Sequence, residues 1–181
     1  MNTELRFCPR CAEALEWRPV EYPDVLHPVC TKCAFVLWQN RKPCVDALII
    51  RNEEAQTEVL FGRRHTLPDT GPWDIPGGFL NAADFIEPAL IRECRREMDV
   101  EVSVGELAGA FEDLYFDIPI VELIYVCRIV SGTPRAADII DEVAWFPLHD
   151  PPPLAFPSVA AAVAALQGRH ETVREARTGT N

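Results

Sequence analysis

Four cysteines near the start of the chain have the spacing of metal ligands. Cys8 and Cys11 form one CxxC pair, Cys30 and Cys33 form a second, and eighteen residues separate the pairs. Two intervening residues let both sulfurs of a pair face one ion, and four thiolates complete a closed tetrahedral zinc site. Such a site leaves no position for substrate. The pairs therefore predict a structural zinc ion, with a redox role as the alternative, and the ion would stabilise a segment too short for its own core.

Two acidic side chains, Glu93 and Glu97, stand four residues apart in a segment with helical periodicity. That spacing projects both carboxylates from one helical face, where they repel each other unless a cation lies between them. Mg²⁺ or Mn²⁺ prefers such oxygen ligands, and Gly77 and Gly78 allow the preceding backbone to turn tightly and expose a carbonyl. These residues predict a platform for metal-bound phosphate, or else an ordinary solvated helix face.

Hydrophobic periodicity indicates the elements that would position these glutamates. A helix is expected over 84–98, with Asp84 as its N-cap and Pro88 in its first turn. β-branched runs and an Ala-rich segment predict five strands and a last helix, over 44–51, 57–64, 101–112, 119–131, 142–148 and 158–166. The sequence therefore predicts an α/β fold, divided into a zinc ribbon over 1–40, a main domain over 41–168 and a flexible tail over 169–181.

The net charge and the three remaining cysteines indicate which partners and which cellular compartment the chain is suited to. The net charge is −11, and beyond residue 43 eleven Lys/Arg face twenty-three Asp/Glu. This imbalance repels polyanions, so nucleic-acid binding is not expected, although divalent metals can bridge the chain to phosphates. Cys44, Cys94 and Cys127 stand singly among apolar residues, which indicates buried thiols rather than disulfides. Neither a secretory leader nor a membrane-spanning run is visible, so a cytoplasmic location is expected.

The stretch GGFLNAADFIEPALIRECRREMDV resembles the Nudix box. That motif runs Gly, five residues, Glu, seven residues, then Arg-Glu-hydrophobic-any-Glu-Glu-any-Gly-hydrophobic. Here Gly78 opens it, Arg92-Glu93-Cys94 and Glu97 fit it, and Val100 closes it. The flanking GPWDIPGGF, EVAWFPL and LAFPS are similar to segments of zinc-ribbon members of the family. With the WQNRKP segment that follows the ribbon, the likeness covers about residues 5–167.

The resemblance implies a Nudix fold, an α/β/α sandwich with a mixed sheet, that hydrolyses the pyrophosphate of a nucleoside diphosphate-linked substrate. It implies that Glu93 and Glu97 bind catalytic Mg²⁺ or Mn²⁺, with the Gly77 carbonyl as a third ligand and Arg92 orienting a carboxylate. Gly77 and Gly78 would face the substrate. In many members a later acid assists as base, for which the candidates are Asp138, Asp141 and Glu142.

Three positions depart from the box. Asp84 stands in place of the first Glu, Asp99 replaces the Gly that ends the helix, and Arg96 replaces a metal-binding Glu. The last change converts a ligand into a cation. At ~5 Å and an effective dielectric constant of about 20, each unit of charge is worth roughly 3 kcal/mol against a monovalent neighbour. Binding of several metals should therefore be weakened, while Arg96 becomes available to contact a substrate phosphate.

Two functions remain open, and the otherwise well-kept box favours the first. One is hydrolysis with a reduced metal site, and the other is a catalytically impaired module that binds a nucleotide as a sensor or docks a protein partner. NADH is disfavoured, because the Ser-Gln-Pro-Trp-Pro-Phe-Pro run of NADH-specific relatives is absent, which leaves ADP-ribose or FAD. Tyr115, Phe116 and Trp73 are candidates for stacking on a substrate ring or for the core. A homodimer is compatible with the resemblance, with the ribbon in a packing or dimerisation role.

Overall fold

The computed structural model of the chain describes residues 6–53, 56–66 and 71–178. It divides into two compact units, Met1–Asn40 and Arg41–Asn181. The first unit carries the four paired cysteines, and the second carries the glutamates of the predicted helix. Among the described residues, no helix is both long enough and apolar enough to cross a membrane.

The first unit contains a two-stranded antiparallel hairpin. Its strands are β1 (Leu15–Pro19) and β2 (Leu26–Cys30). One cysteine pair precedes β1, and the other begins at the last residue of β2. The residue after each pair, Ala12 or Ala34, has a left-handed backbone with a φ of 60° or 54°. The chain therefore turns in the same way after each cysteine pair.

The second unit is built around a mixed sheet, in which seven strands are described. These strands are β3 (Lys42–Glu53), β4 (Gln56–Arg64), β5 (Trp73–Asp74), β6 (Gly77–Phe79), β7 (Val100–Tyr115), β8 (Ile118–Gly132) and β9 (Ile140–Pro147). The main order is β5-β4-β3-β8-β7, with β6 paired to β3 and β9 paired to β4. β3 and β8 run parallel and the other pairs run antiparallel, so the predicted mixed sheet is confirmed.

Two helices, α1 (Ile86–Met98) and α2 (Pro157–Thr178), cover opposite faces of this sheet. Side chains alternate between the faces along β3, as they do in any strand. Leu48 packs in a hydrophobic cluster with Val163 of α2, whereas Ile49 packs in a second cluster with Leu90 of α1. The predicted α/β/α sandwich is confirmed by these two separate cores.

The start of α1 differs from the prediction. The helix begins at Ile86, and its N-cap is Phe85, which makes no side-chain capping hydrogen bond. The prediction that Asp84 caps the helix is therefore wrong. The Asp84 carboxylate instead accepts hydrogen bonds from the backbone and side-chain amides of Asn81, both at 2.9 Å. Pro88 lies in the first turn, as predicted, where a missing N–H leaves no helical bond unmade.

The end of α2 also differs from the prediction, because the helix continues to Thr178 instead of ending near residue 166. Two side chains beyond that point hold it to β7 and to the residue that follows β9. Gln167 Nε2 donates to the Leu148 carbonyl at 2.6 Å, and Arg169 Nη2 donates to the Ala108 carbonyl at 2.6 Å. Part of the predicted flexible tail lies outside the described residues, and its limits stay a prediction.

Candidate active site

Glu93 and Glu97 lie on the face of α1 that packs against the sheet. Their relative exposures are 8% and 2%, because the same face buries Leu90, Cys94 and Met98. Both carboxylates line a cavity of about 380 Å³. The alternative of an ordinary solvated helix face is therefore wrong for these two side chains.

Arg96 lies between the two glutamates. Its Nε donates to Glu93 Oε2 at 2.7 Å, and its Nη2 donates to Glu97 Oε1 at 2.7 Å. A third contact joins Arg96 Nη1 to Asp138 Oδ2. The guanidinium group thus supplies the positive charge that two neighbouring carboxylates require.

Asp138 reaches Arg96 because the segment after β8 is bonded to the end of α1. The amides of Arg135 and Ala137 donate to the carbonyls of Met98 and Glu97 at 3.0 and 3.1 Å. Carbonyls in the last turn of a helix lack helical partners, so they are free to accept these bonds. The connection after β8 is thereby held beside the acidic face of α1.

The three candidate bases have different surroundings. Asp138 contacts Arg96, a residue that lines the cavity. Asp141 and Glu142 both pair with Arg63, at 3.1 and 2.9 Å, and neither lines the cavity. Of the three, Asp138 is therefore the acid that the fold brings next to the glutamates.

Arg92 joins Asp84 to Glu93. Its Nη1 and Nη2 donate to the two oxygens of Asp84 at 3.1 Å, and its Nε donates to Glu93 Oε1 at 3.2 Å. The hydrogen bonds from Arg92, together with the Asn81 amides, lower the pKa of the Asp84 carboxyl to about 2. Asp84 thus stays ionised and anchors the arginine that contacts Glu93.

The diglycine brings the backbone of β6 against the acidic side chains. The Gly77 amide donates to Glu97 Oε2 at 3.1 Å. A Cβ on Gly77 would lie 1.9 Å from Asp46 Oδ1, so only glycine allows this approach. A Cβ on Gly78 would lie 3.5 Å from Glu93 Oε2, which places this residue in ordinary contact distance of the second glutamate.

Several charged residues of the cavity were missed by the sequence reasoning. They are Asp46, Asp74, Glu122 and Arg64. Arg64 Nη1 donates to Asp74 Oδ2 at 2.9 Å in a buried ion pair. A signal was present for two of the acids, because Asp46 and Glu122 each stand alone within the apolar runs CVDALIIR and IPIVELIYV. An acid inside a buried strand is uncommon and often marks a functional site.

Burial changes the protonation of these carboxyl groups. It raises the pKa of Glu97 to about 7, with Arg96 opposing the rise. It also raises the pKa of Glu122 to about 7, and the nearby Ser158 hydroxyl opposes that rise. Burial, followed by the charge of Glu122, raises the pKa of Asp46 well above its ordinary range. Five acids face two guanidinium groups in the cavity, so protons or cations are needed to balance the charge.

One of the three aromatic stacking candidates lines this cavity. Tyr115 is at its wall, with its ring centroid 5.5 Å from that of Phe79. Phe116 is 53% exposed, and its ring contacts Tyr115. Trp73 packs on Phe146, with ring centroids 4.8 Å apart, beside the core under α2. The core alternative therefore applies to Trp73.

The four paired cysteines form a cluster in the first unit, with all four sulfurs within 4.8 Å of one another. Cys11 Sγ lies 3.5 Å from the sulfurs of both Cys30 and Cys33, and Cys8 Sγ lies 3.7 Å from that of Cys33. This arrangement fits one tetrahedral ion held by four thiolates. The three single cysteines are free and buried, as predicted: Cys44, Cys94 and Cys127.

The match to a known family covers most of the second unit. A family model of the NUDIX domain matches residues 40–166, which include α1, the diglycine and the cavity acids. The chain belongs to the Nudix family.

Similar Nudix proteins are found in sequence and in structure. An ADP-ribose pyrophosphatase of Methanocaldococcus jannaschii is 27% identical over 122 residues, which cover 66% of this chain and 70% of that protein. An NAD-capped RNA hydrolase NudC of Pseudomonas fluorescens is 28% identical over 83% of this chain. The chain spans about half the length of that relative, with 51% of it covered.

A Nudix hydrolase from Nitrosomonas europaea has the same fold, with a TM-score of 0.73 and 23% identity. The match covers 92% of this chain and 93% of that one. The family match and the relatives indicate a Nudix pyrophosphohydrolase, and the structural neighbour shows the Nudix fold. The predicted fold family and enzyme class are therefore confirmed.

The three departures from the Nudix box have distinct structural consequences. Asp84 keeps the acidic function of the missing Glu, because it holds Arg92 with two hydrogen bonds. Asp99 adopts the left-handed conformation, with φ 56° and ψ 36°, that the usual glycine would adopt more easily. Arg96 is the consequential change, because its guanidinium lies between the two glutamates of the Nudix box.

Proposed function

We propose that this Nudix protein hydrolyses the pyrophosphate bond of a nucleoside diphosphate-linked substrate with the help of Mg²⁺ or Mn²⁺. The observation that carries the proposal is the convergence of Glu93 and Glu97 on one cavity beside Gly77. Acids outnumber guanidinium groups there by five to two, so the lining of the cavity by itself repels phosphates. A divalent cation would reverse that repulsion and bring the pyrophosphate to the glutamates.

The residues present fit such an ion. Glu93 and Glu97 are both more than nine-tenths buried and share one cavity, and the Gly77 carbonyl is the proposed third ligand. When bound, the ion supplies Lewis-acid polarisation of a phosphoryl oxygen. Arg92 holds the Glu93 carboxylate in position, and Gly78, which lines the cavity, is proposed to contact the substrate.

Arg96 has to leave the space between the glutamates when a metal binds. Asp138 offers an alternative partner, because it already contacts Arg96 Nη1. The Arg96 side chain is 44% exposed, and we assign it to a substrate phosphate once it has moved. Among the three candidate bases, Asp138 is preferred, because Asp141 and Glu142 are engaged by Arg63.

ADP-ribose or FAD is the proposed substrate. The relative from Methanocaldococcus jannaschii is an ADP-ribose pyrophosphatase, which supports the first of these. The Pseudomonas relatives are NAD-capped RNA hydrolases, but the acidic chain repels RNA and lacks the NADH-associated run after the box. NADH therefore remains the less favoured small substrate, and nucleic acid and membrane partners are not proposed.

The test is to incubate purified protein and Mg²⁺ or Mn²⁺ with ADP-ribose, FAD or NADH, and to measure released AMP. Mutation of a residue that only positions a metal ligand typically costs roughly 10–100-fold in activity. Because Glu97 is the proposed ligand itself, Glu97→Gln should reduce turnover by more than that. Glu112→Gln is the matched control, because Glu112 is exposed and lies outside the cavity. Absence of AMP release from all three substrates would overturn the proposal.

A second candidate function is nucleotide binding without turnover. The contact of Arg96 with both box glutamates favours it, because the guanidinium competes with any metal. A Nudix domain of NrtR from Shewanella oneidensis, with a TM-score of 0.60 and 20% identity, was crystallised in complex with ADP ribose. Calorimetric binding of ADP-ribose with no AMP release would select this function over hydrolysis.

For the first unit we propose one structural zinc ion, held by Cys8, Cys11, Cys30 and Cys33, and a role in homodimer formation. The hairpin exposes apolar surface at Trp17, Tyr22 and Leu26, with relative exposures of 38%, 65% and 50%. Sedimentation velocity should give a dimer that Tyr22→Ser weakens, and a monomeric wild type would contradict this proposal. A cytoplasmic location likewise stays a prediction.

A further inference from the structure

Two acids of the cavity carry oxygen atoms without hydrogen-bond partners. Asp46 and Glu122 are 9% and 6% exposed, and both line the cavity. Asp46 Oδ2 and Glu122 Oε2 are buried and make no hydrogen bond within bonding distance among the residues that the structure describes, and the nearby Ser158 Oγ is likewise unpaired. A buried polar atom without a partner costs stability, so its retention points to a ligand that supplies the missing bond.

The sheet brings these two acids together. β3 and β8 run parallel, with Cys44 opposite Glu122 and Asp46 opposite Ile124. Asp46 and Glu122 are therefore diagonal neighbours on adjacent strands, which share one face of the sheet. The two acids are far apart in sequence, and the parallel pairing of β3 with β8 is what places them on the same face of the sheet.

The pair also adjoins the proposed phosphate end of the cavity. Asp46 Oδ1 lies 1.9 Å from the place of a Cβ on Gly77, and the Gly77 amide donates to Glu97 at 3.1 Å. Asp46 and Glu97 thus flank the same glycine. A group that binds Asp46 and Glu122 would be the part of the substrate joined directly to its phosphates.

The chemistry of the pair restricts that group. Each carboxyl group offers oxygen atoms that accept hydrogen bonds, and its ionised form repels phosphate. Two adjacent hydroxyl groups can donate one hydrogen bond to each of two acceptor oxygens. In dinucleotide-binding folds an acidic side chain accepts such a bond from a ribose hydroxyl. A cation is the other class of occupant. The amount of Mn²⁺ that variants of the pair bind distinguishes a cation from a sugar.

We propose that Asp46 and Glu122 bind the vicinal hydroxyls of a ribose attached to the pyrophosphate. This inference rests on the proposed function, because Glu93 and Glu97 must bring the phosphates into the same cavity. The cavity volume of about 380 Å³ leaves room for the sugar beside the phosphates. Tyr115, at the wall, offers an apolar face to the sugar ring or to the group that follows it.

The test is a double-mutant cycle between protein carboxylates and ligand hydroxyls. Dissociation constants are measured by calorimetry, with Ca²⁺ replacing Mg²⁺, for the wild type, Asp46→Asn and Glu122→Gln. The ligands are ADP-ribose, its 2′,3′-dideoxyadenosine analogue, and ADP esterified to tetrahydrofurfuryl alcohol, which lacks the hydroxyls of the terminal ribose. The two analogues identify which ribose is bound. Asp117→Asn and Glu112→Gln, both exposed and outside the cavity, are the matched controls.

In the wild type and both controls, removal of the hydroxyls from one ribose should weaken binding about 10-fold, as expected for the loss of hydrogen bonds to buried carboxyl groups. In Asp46→Asn and Glu122→Gln the same removal should weaken binding less than about 3-fold. Thermal unfolding establishes that each variant is folded. The inference is overturned if removal of the hydroxyls weakens binding by the same factor in all five proteins. It is also overturned if Asp46→Asn and Glu122→Gln, but not the controls, lose bound Mn²⁺.

The outcomes separate this inference from the proposed function. AMP release by the wild type together with a cycle that shows no coupling rejects the sugar site and leaves hydrolysis intact. Coupling in the cycle without any AMP release retains the sugar site and rejects hydrolysis. A wild type that binds none of the three ligands rejects both.

Discussion

Arg96 places a permanent cation where the Nudix box usually has a third carboxylate. Its Nε and Nη2 each donate at 2.7 Å to one of the glutamates proposed as metal ligands. A metal must displace these contacts, and the side chain is itself 44% exposed, so solvent lowers the cost of the displacement. Arg96 thus acts as a competitor of the metal with moderate strength rather than as an absolute block.

Replacement of Arg96 should strengthen metal binding. We expect Arg96→Gln to lower the dissociation constant for Mn²⁺ by about 10-fold, and Arg96→Glu to lower it further, because one positive charge is removed and then an acidic ligand is added. Titration followed by electron paramagnetic resonance measures free Mn²⁺ directly. Arg95→Gln is the control, since Arg95 pairs with Glu101 and does not line the cavity. Equal Mn²⁺ affinities for Arg96→Gln and wild type would show that the guanidinium does not compete.

Glu122 should make folding stability depend on pH. Its pKa is raised by burial from 4.5 to about 7, so the unfolded chain ionises first as the pH rises. Stability is therefore lost between about pH 4.5 and pH 7, and the shift corresponds to at most about 3 kcal/mol. Glu122→Gln has no such loss. The free energy of unfolding in urea should be higher for Glu122→Gln than for the wild type by up to about 3 kcal/mol at pH 8, but by under about 1 kcal/mol at pH 5.

The exposed Glu112 provides the comparison for this measurement. Glu112→Gln removes the same charge from a side chain that is 72% exposed, so its effect should change little between the two pH values. A gain of Glu122→Gln that is the same at pH 5 and pH 8 would mean that Glu122 is not the titrating group.

At the scale of elements, the C-cap residue that ends α1 adopts its backbone conformation with some strain. Asp99 has φ 56°, and its carboxylate lies at the negative end of the helix dipole. Asp99→Gly should therefore raise the free energy of unfolding by about 0.5–1 kcal/mol in urea titrations. Gly132→Ala should lower it, because φ is 93° and the new Cβ would lie 2.6 Å from the Asp99 carbonyl. A loss of stability in Asp99→Gly contradicts the assignment of strain.

Elements with a strong local pattern were predicted well from the sequence. α1 was placed within two residues, because its buried face repeats with helical spacing over the whole element. β7 and β8 were predicted too short, since they extend into a hairpin whose apolar tips stay exposed, including Leu114 at 56% and Ile118 at 43%. Solvent-facing tips give no burial signal, so periodicity alone could not locate the ends.

The candidate site was predicted only where it lies on one element. Glu93 and Glu97 share α1, so their spacing alone was sufficient to place them together. The contact between Arg96 and Asp138 joins residues 42 positions apart, and Asp46 meets Glu122 only through the pairing of β3 with β8. Such contacts depend on register between distant segments, which a single sequence does not specify.

At the scale of the whole molecule, the two units differ in what stabilises them. The second unit buries two hydrophobic clusters, one under each helix. In the described part of the first unit, residues 6–40, the buried positions are Cys8, Pro28 and Cys30. Too little apolar surface is buried there to offset the ordering of the chain, so the first unit depends on its metal.

Loss of zinc should consequently unfold the first unit and leave the second folded. Cys30→Ser is expected to lower bound zinc, measured by mass spectrometry, from one ion per chain to none. Trypsin should then cut within residues 6–40, while a fragment starting near Arg41 resists digestion, because the clusters that stabilise it contain none of the four zinc ligands. Cys127→Ser, which changes a buried cysteine of β8, should retain its zinc and resist cleavage in the first unit. If zinc-free Cys30→Ser resisted trypsin as well as the wild type does, the first unit would have to draw its stability from contacts other than the metal.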